Sequence, residues 1–235
     1  MIPCISVENM RCSDAHTIAT LVPGRELMYR AALGIFKAAD WSGRTAIVVG
    51  SGNNGGDGFA LACILHAHDF SCTVFTVSQK MSDDGAYYGQ MAHNAGVSIL
   101  PYESGCLSGF NRIVDCLLGT GFQGDVRGVY RTPIEEINRS GAFIVSADIN
   151  SGMNGDTGEA ELAVRSHLTV TIGYVKTGLI VPNAGNYIQK LVCTDIGILL
   201  LREEAWIYGP EEAPVPNGYP CPPWLDMQVI PSLSA

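Results

Sequence analysis

The sequence predicts a doubly wound α/β fold with a mostly parallel central sheet, on three observations. Strand, loop and helix alternate from about residue 45 to residue 196. The run Ala46–Val49 passes through a glycine-rich turn into an apolar helix and on to a second strand, Cys72–Val77, which is a βαβ unit with a right-handed crossover. Three polar loops each follow an apolar strand. Alternation of this kind places helices on both faces of a sheet, and ligands bind outside the carboxyl ends of its strands. The three loops should therefore gather on one edge.

The elements follow in order. From Val7 to about Ala39 the period is helical: Ala15, Ile18, Ala19 and Val22 share a face, Pro23-Gly24 break it, and Leu27, Met28, Ala31, Ala32, Ile35 and Phe36 resume it. Two helices packed on the sheet are expected. Thr45 to Gly50 is the first strand, and the helix after the glycine stretch is expected from Phe59 to about His68. A helix over Asp83 to Ala95 and a short strand at Val97 to Leu100 follow. Arg112 to Leu118 is a strand leading into Gly119–Asp125, and Tyr130 to Asn138 is a helix with Pro133 tolerable in its first turn. Ala142 to Ala147 runs into the polar loop Asp148–Asp156. His167 to Ile172 and Leu191 to Ile196 are further strands. Residues 1–208 form one domain on this reading. The tail 209–235 holds seven of the twelve prolines and no Lys or Arg, and is expected to be extended or disordered outside the core.

Composition sets limits. In 235 residues, 47% are hydrophobic, so the chain is expected to be globular. A net charge of −9 with 14 Lys and Arg, and no basic run, argues against a nucleic-acid surface. No apolar run is long enough to cross a membrane, and the opening Met1–Ile5 has no signal-peptide pattern. None of the eight cysteines forms a C-x-x-C pair, and Cys63, Cys72, Cys116 and Cys193 sit in apolar runs. They read as reduced core thiols, hence a cytoplasmic protein.

The chemistry gathers around Gly50-Ser51-Gly52-Asn53-Asn54-Gly55-Gly56-Asp57-Gly58. Five glycines in nine residues allow positive φ and close approach to a ligand, and the following helix turns its unpaired N–H groups toward any anion there. Asn53, Asn54 and Asp57 add side-chain oxygens and amides. Neither the P-loop nor the G-x-G-x-x-G dinucleotide turn fits. Asp115 and Asp148 stand at strand ends, where a carboxylate is costly to bury unless it binds something. With Ser151 they make an oxygen-rich cluster suited to a hard alkali or alkaline-earth cation. The histidines show no ligand or nucleophile spacing. Lys176, beside a turn, is expected to be solvated or to meet a phosphate.

Read together, the motifs GNNGGDG (52–58), VDCLLGTGFQGDVRGVY (114–130), ADINSGMNGDTGE (147–159), VTIGYVKTGL (170–179) and LVCTDIGI (191–198) closely resemble the NAD(P)H-hydrate epimerases, the YjeF N-terminal domain family. The opening Ser6-Val7-Glu8-Asn9-Met10-Arg11 is similar too. The resemblance implies a Rossmann-like three-layer α/β/α sandwich and an isomerase that interconverts the R and S forms of NADHX and NADPHX, hydrated at carbon 6 of the nicotinamide ring. It places the dinucleotide against Asn53, Asn54, Gly55, Gly56, Asp57, Gly119, Thr120, Gly121, Phe122, Gln123, Gly124, Asp125, Tyr130 and Asp148. One potassium ion per subunit is implied at Asn54, Asp115 and Ser151. A homodimer is implied, with an NAD(P)HX dehydratase on a separate chain as functional partner.

Loss of stereochemistry at carbon 6 needs proton transfer at oxygen, for which Asp148 is the first candidate and Asp57 the second. The chain departs from the family at Tyr29, where a glutamate is usual, and at Asn150 and Thr177, where proline is usual. The competing expectation is a catalytically inactive nucleotide-binding or scaffold protein of the same fold.

Overall fold

The computed structural model describes residues 1–232; the last three positions of the proline-rich tail lie outside the described residues. The main sheet has eight strands: β2 (Thr45–Val49), β3 (Cys72–Thr76), β4 (Ser98–Pro101), β5 (Arg112–Cys116), β6 (Phe143–Ala147), β7 (Leu168–Ile172), β9 (Leu191–Asp195) and β12 (Leu225–Pro231). Their spatial order is β12-β9-β7-β6-β5-β2-β3-β4, and every neighbouring pair is parallel. The chain leaves β2 toward β3 and β4, then returns to β5 on the other side and proceeds outward. The switch point therefore lies between the carboxyl ends of β2 and β5, where a doubly wound sheet opens a crevice.

Alternate side chains of these strands build two cores. Ile47, Val49, Val114, Cys116, Val145 and Val170 face one way, onto α2 (Gly24–Ala38), α3 (Asn53–Ala67) and α4 (Asp83–Asn94). Ala46, Val48, Ile113 and Ile144 face the other way, onto Ile134 and Ile137 of α5 (Arg131–Arg139). The period of two along each strand thus fixes the three-layer sandwich.

Three expectations are corrected. First, α1 (Val7–Thr20) buries Asn9, Met10, Ser13 and Thr17, while Ile18 and Leu21 stay exposed. The buried stripe is polar because it serves as hydrogen-bonding partner to an extended segment: Leu199 N–H donates to Thr17 Oγ1 (3.0 Å), Leu201 N–H to Ser13 Oγ (3.1 Å), and Asn9 Nδ2 to the Arg202 carbonyl (2.7 Å). Second, a small sheet of order β11-β10-β1-β8 stands beside the main one, made of β11 (Gly218–Pro220), β10 (Ala205–Tyr208), β1 (Ile2–Ile5) and β8 (Val175–Lys176).

Third, the proline-rich tail is no appendage. It supplies β11 and the edge strand β12, whose Leu225 is buried, and Lys37 Nζ donates to the carbonyls of Pro231 (3.0 Å) and Ser232 (2.8 Å). Proline is compatible with such a strand because an edge leaves one row of N–H groups without a ladder partner.

Candidate active site

The glycine stretch is a loop only as far as Gly52: α3 begins at Asn53, capped by Gly52, so Asn53–Gly58 is helical where a loop is expected. None of its five glycines has positive φ. Four of them permit close approach, while Gly52 has nothing within 4 Å of where a Cβ would stand. A Cβ on Gly50 would stand 1.9 Å from the Leu117 carbonyl oxygen, and one on Gly55 would stand 2.3 Å from that of Gly50. The loops after β2 and β5 thus cross in contact at the switch point. The N–H groups of Gly55 and Gly56 are spent on the Gly52 carbonyl, which leaves the Asn53 and Asn54 amides at the open helix end.

A cleft of about 730 Å³ opens there, lined by Asn53, Asn54, Asp57, Gly119 to Gln123, Tyr130 and Asp148 among others. Tyr130 is tied to the loop after β2 by a 3.1 Å hydrogen bond between its hydroxyl and that of Ser51. Gly55 and Gly56 lie behind the wall, Gly56 close against Met28 of α2. Gly124 and Asp125 lie outside the lining, and the exposed Asp125 carboxylate meets Arg127 at 3.5 Å.

Beneath the cleft Asp115 is fully buried at the end of β5. Its carboxylate accepts from the Ser151 hydroxyl (2.5 Å), the Ser151 N–H (2.9 Å), the Ser146 hydroxyl (2.9 Å) and the Leu117 N–H (3.3 Å). Burial raises its pKa against the opposing pull of these bonds. Ser151 Oγ also accepts from Leu118 N–H (2.8 Å), and Asn54 Nδ2 donates to the Leu118 carbonyl (3.0 Å), so Asn54, Asp115 and Ser151 join the three loops. Asn54 Oδ1 is buried with no hydrogen-bond partner among the described residues. An orphaned amide oxygen beside a single carboxylate, a hydroxyl and a carbonyl is a donor set fit for a monovalent hard cation. Among the described residues no three His, Cys, Asp or Glu side chains converge as a metal site.

Asp148, just past β6, has φ +65°, a conformation Asp adopts more readily than most residues. Its Oδ1 accepts from the Ile172 N–H (3.1 Å) and from Lys176 Nζ (2.5 Å). Lys176 is the residue that sequence reasoning misjudged. It is 1% exposed and gives its other donors to the Ile172 carbonyl (2.7 Å) and Thr171 Oγ1 (3.2 Å), so it orients Asp148 and neither meets solvent nor waits for phosphate. Asp57, 9% exposed, accepts no hydrogen bond from any described residue. Burial first, then the charges of Asp148 and Asp14, push its carboxyl well above the usual range. Asp14 is the second residue missed: it lines the cleft from α1, and only its place four residues after Met10 on a helix facing the site hinted at it.

A family profile described as "YjeF-related protein N-terminus" matches residues 24–178. The chain belongs to this family. An NAD(P)H-hydrate epimerase of Limosilactobacillus fermentum is 33% identical over 199 residues, which is 81% of this chain and 95% of that protein. A bifunctional NAD(P)H-hydrate repair enzyme of Coxiella burnetii is 37% identical over 182 residues, which is 74% of this chain and 37% of the longer protein. The crystal structure of yeast ynu0 superposes with a TM-score of 0.65 at 22% identity, over 74% of this chain and 82% of that one, and shares the fold. Within the YjeF N-terminal family the chain's departures are structurally absorbed. Asn150 is fully buried and donates through Nδ2 to the Val164 carbonyl (2.9 Å) and Ser166 Oγ (3.0 Å), while Thr169 Oγ1 donates to its Oδ1 (2.6 Å). Thr177 donates to the Ile5 carbonyl (3.2 Å), and Tyr29 is exposed.

Proposed function

We propose that this protein is an NAD(P)H-hydrate epimerase, interconverting the R and S forms of NADHX and NADPHX. The observation that carries the reading is the convergence, in one cleft at the switch point, of an open helix N-terminus with two differently held carboxyls, Asp57 and Asp148. The open amides of α3 and the Gly119–Gln123 backbone suit a pyrophosphate without any lysine. Asp57, buried and unpartnered, is suited to hold a proton and give it to the carbon 6 hydroxyl. The C6–O bond then breaks with its electrons on the departing water, and the ring nitrogen lends its lone pair to C6. Water adds from the other face, the nitrogen recovers its pair, and Asp148, oriented by Lys176, takes the released proton. Because the groups act in either direction, both epimers are substrates.

Asn54, Asp115 and Ser151 would hold one potassium ion, which when bound would tie the three loops together and offset the carboxylates' repulsion. The buried, partnerless Asn54 Oδ1 supports that assignment. Exposed Leu21, just past the end of α1, supports a homodimer. The bifunctional repair enzyme of Coxiella burnetii supports a dehydratase as functional partner, and the buried, free thiols of Cys4, Cys116 and Cys193 suit the cytoplasm. No helix among the described residues is long and apolar enough to cross a membrane.

The test is a chromatographic time course on NADHX depleted of its S form, in potassium buffer. Restoration of the R and S mixture far above the spontaneous rate is expected. A folded protein that binds nucleotide without changing that rate would instead support the inactive binding or scaffold role.

A further inference from the structure

Each turnover of the proposed reaction leaves Asp57 without its proton and Asp148 with one too many, so the site needs a route by which protons are exchanged with water. The cleft contains a third carboxyl that the reaction as written does not use. Val7, Arg11, Asp14 and Ile18 fall at steps of four, three and four residues on one face of α1, and all four line the cleft. That face is fixed in place by the polar stripe Asn9, Ser13 and Thr17, which is hydrogen-bonded to the segment 199–202 on its other side.

Cations near Asp14 are already committed. Lys176 is spent on Asp148 at 2.5 Å, and Arg11, which lines the same cleft, on Glu8 at 2.7 Å. Among the described residues Asp14 accepts neither a hydrogen bond nor an ion pair, and nor does Asp57, which is 9% exposed and lines the same cleft. A carboxyl set into a wall with no partner is retained where it binds a ligand or moves protons. Asp14 differs from Asp57 in being only half-buried, so water reaches it.

We propose that Asp14 is the proton relay of this site, passing protons between the two reacting carboxyls, Asp57 and Asp148, and bulk water after each turnover. The inference rests on the epimerase reading and deepens it. The relay moves protons alone: Asp14 takes the proton from Asp148 and releases it to water, then takes one from water and gives it to Asp57, with no bond to carbon made or broken. Burial first, then the charge of Asp148, push the Asp14 carboxyl up from its ordinary range, the direction that proton carriage near neutral pH requires.

Chemical rescue tests it. In dilute buffer, Asp14→Asn is expected to lower kcat about tenfold or more, less than the roughly 10²- to 10⁴-fold of a group that moves the proton at the reacting atom, with KM within about twofold. Raising the concentration of a small buffer acid such as acetate or imidazole should restore kcat in the variant and leave the wild type unchanged. Asp14→Glu, which keeps a carboxyl, should make turnover insensitive to buffer again. It also serves if the Asn variant fails to fold, since a relay carboxyl on a longer arm still needs no rescue while a merely structural defect persists at any buffer concentration. Wild-type turnover with an Asn variant that is unimpaired, or impaired but deaf to buffer, would overturn the relay alone. A wild type without turnover would overturn the epimerase reading and the relay with it.

Discussion

The floor and the wall of the cleft each bury a carboxylate, and they treat it in opposite ways. Asp115 in the floor accepts four hydrogen bonds, from Ser151, Ser146 and Leu117, whereas Asp57 in the wall accepts none from any described residue. The same desolvation therefore has different consequences. In the floor it is offset by fixed donors, so the charge holds three loops together. In the wall no such donor offsets it, and it favours the protonated form. Burial marks both residues as important; only the partners tell structure from chemistry.

Four substitutions sharpen or break that contrast. The largest effect is expected at Asp148→Asn, which keeps the shape but removes the proton acceptor: epimerisation should fall about 10²- to 10⁴-fold while nucleotide affinity, read by calorimetry, stays nearly constant. Next is Asp115→Ala. It orphans the buried Ser151 and Leu117 N–H groups and should cost roughly 3–5 kcal/mol in denaturant unfolding, the signature of a structural carboxylate. Asn150→Ala, in the buried network that replaces the family's proline, should cost about 2 kcal/mol and leave turnover per folded molecule almost unchanged.

Asp57→Asn should go the other way. Because the native carboxyl is raised, the folded protein binds more protons than the unfolded chain above about pH 4, so wild-type stability falls as pH rises from there. Removing the group should abolish that loss. The variant is expected to melt higher than the wild type at pH 7, with the difference vanishing below about pH 4, even though its epimerase activity is lost. A variant less stable at pH 7 would place Asp57 with Asp115 among the structural carboxylates.

Much of this was legible in the sequence, and what was not has definite physical causes. Alternating apolar runs revealed the parallel sheet, because strands covered on both faces read as continuous hydrophobic stretches. Asp115 and Asp148 stood out as carboxylates at strand ends. The start of α3 did not, since Gly52 to Gly58 has poor helix propensity and is held helical by packing of Gly56 on Met28 and Gly85. The buried face of α1 was misassigned because its polar residues, not its apolar ones, meet a partner that lies about 190 residues away in sequence. Lys176 was read as solvated for the same reason: its partner Asp148 is 28 positions earlier, and only the fold brings them together. The tail's prolines suggested disorder, yet an edge strand accommodates them.

The most direct test of the contrast is a carbon-13 NMR titration of the aspartate carboxyls in the folded, nucleotide-free protein, with the Asp57 signal assigned by its loss in Asp57→Asn. Its midpoint is expected well above the ordinary aspartate range. A midpoint near pH 4, the ordinary value for an aspartate, would contradict it.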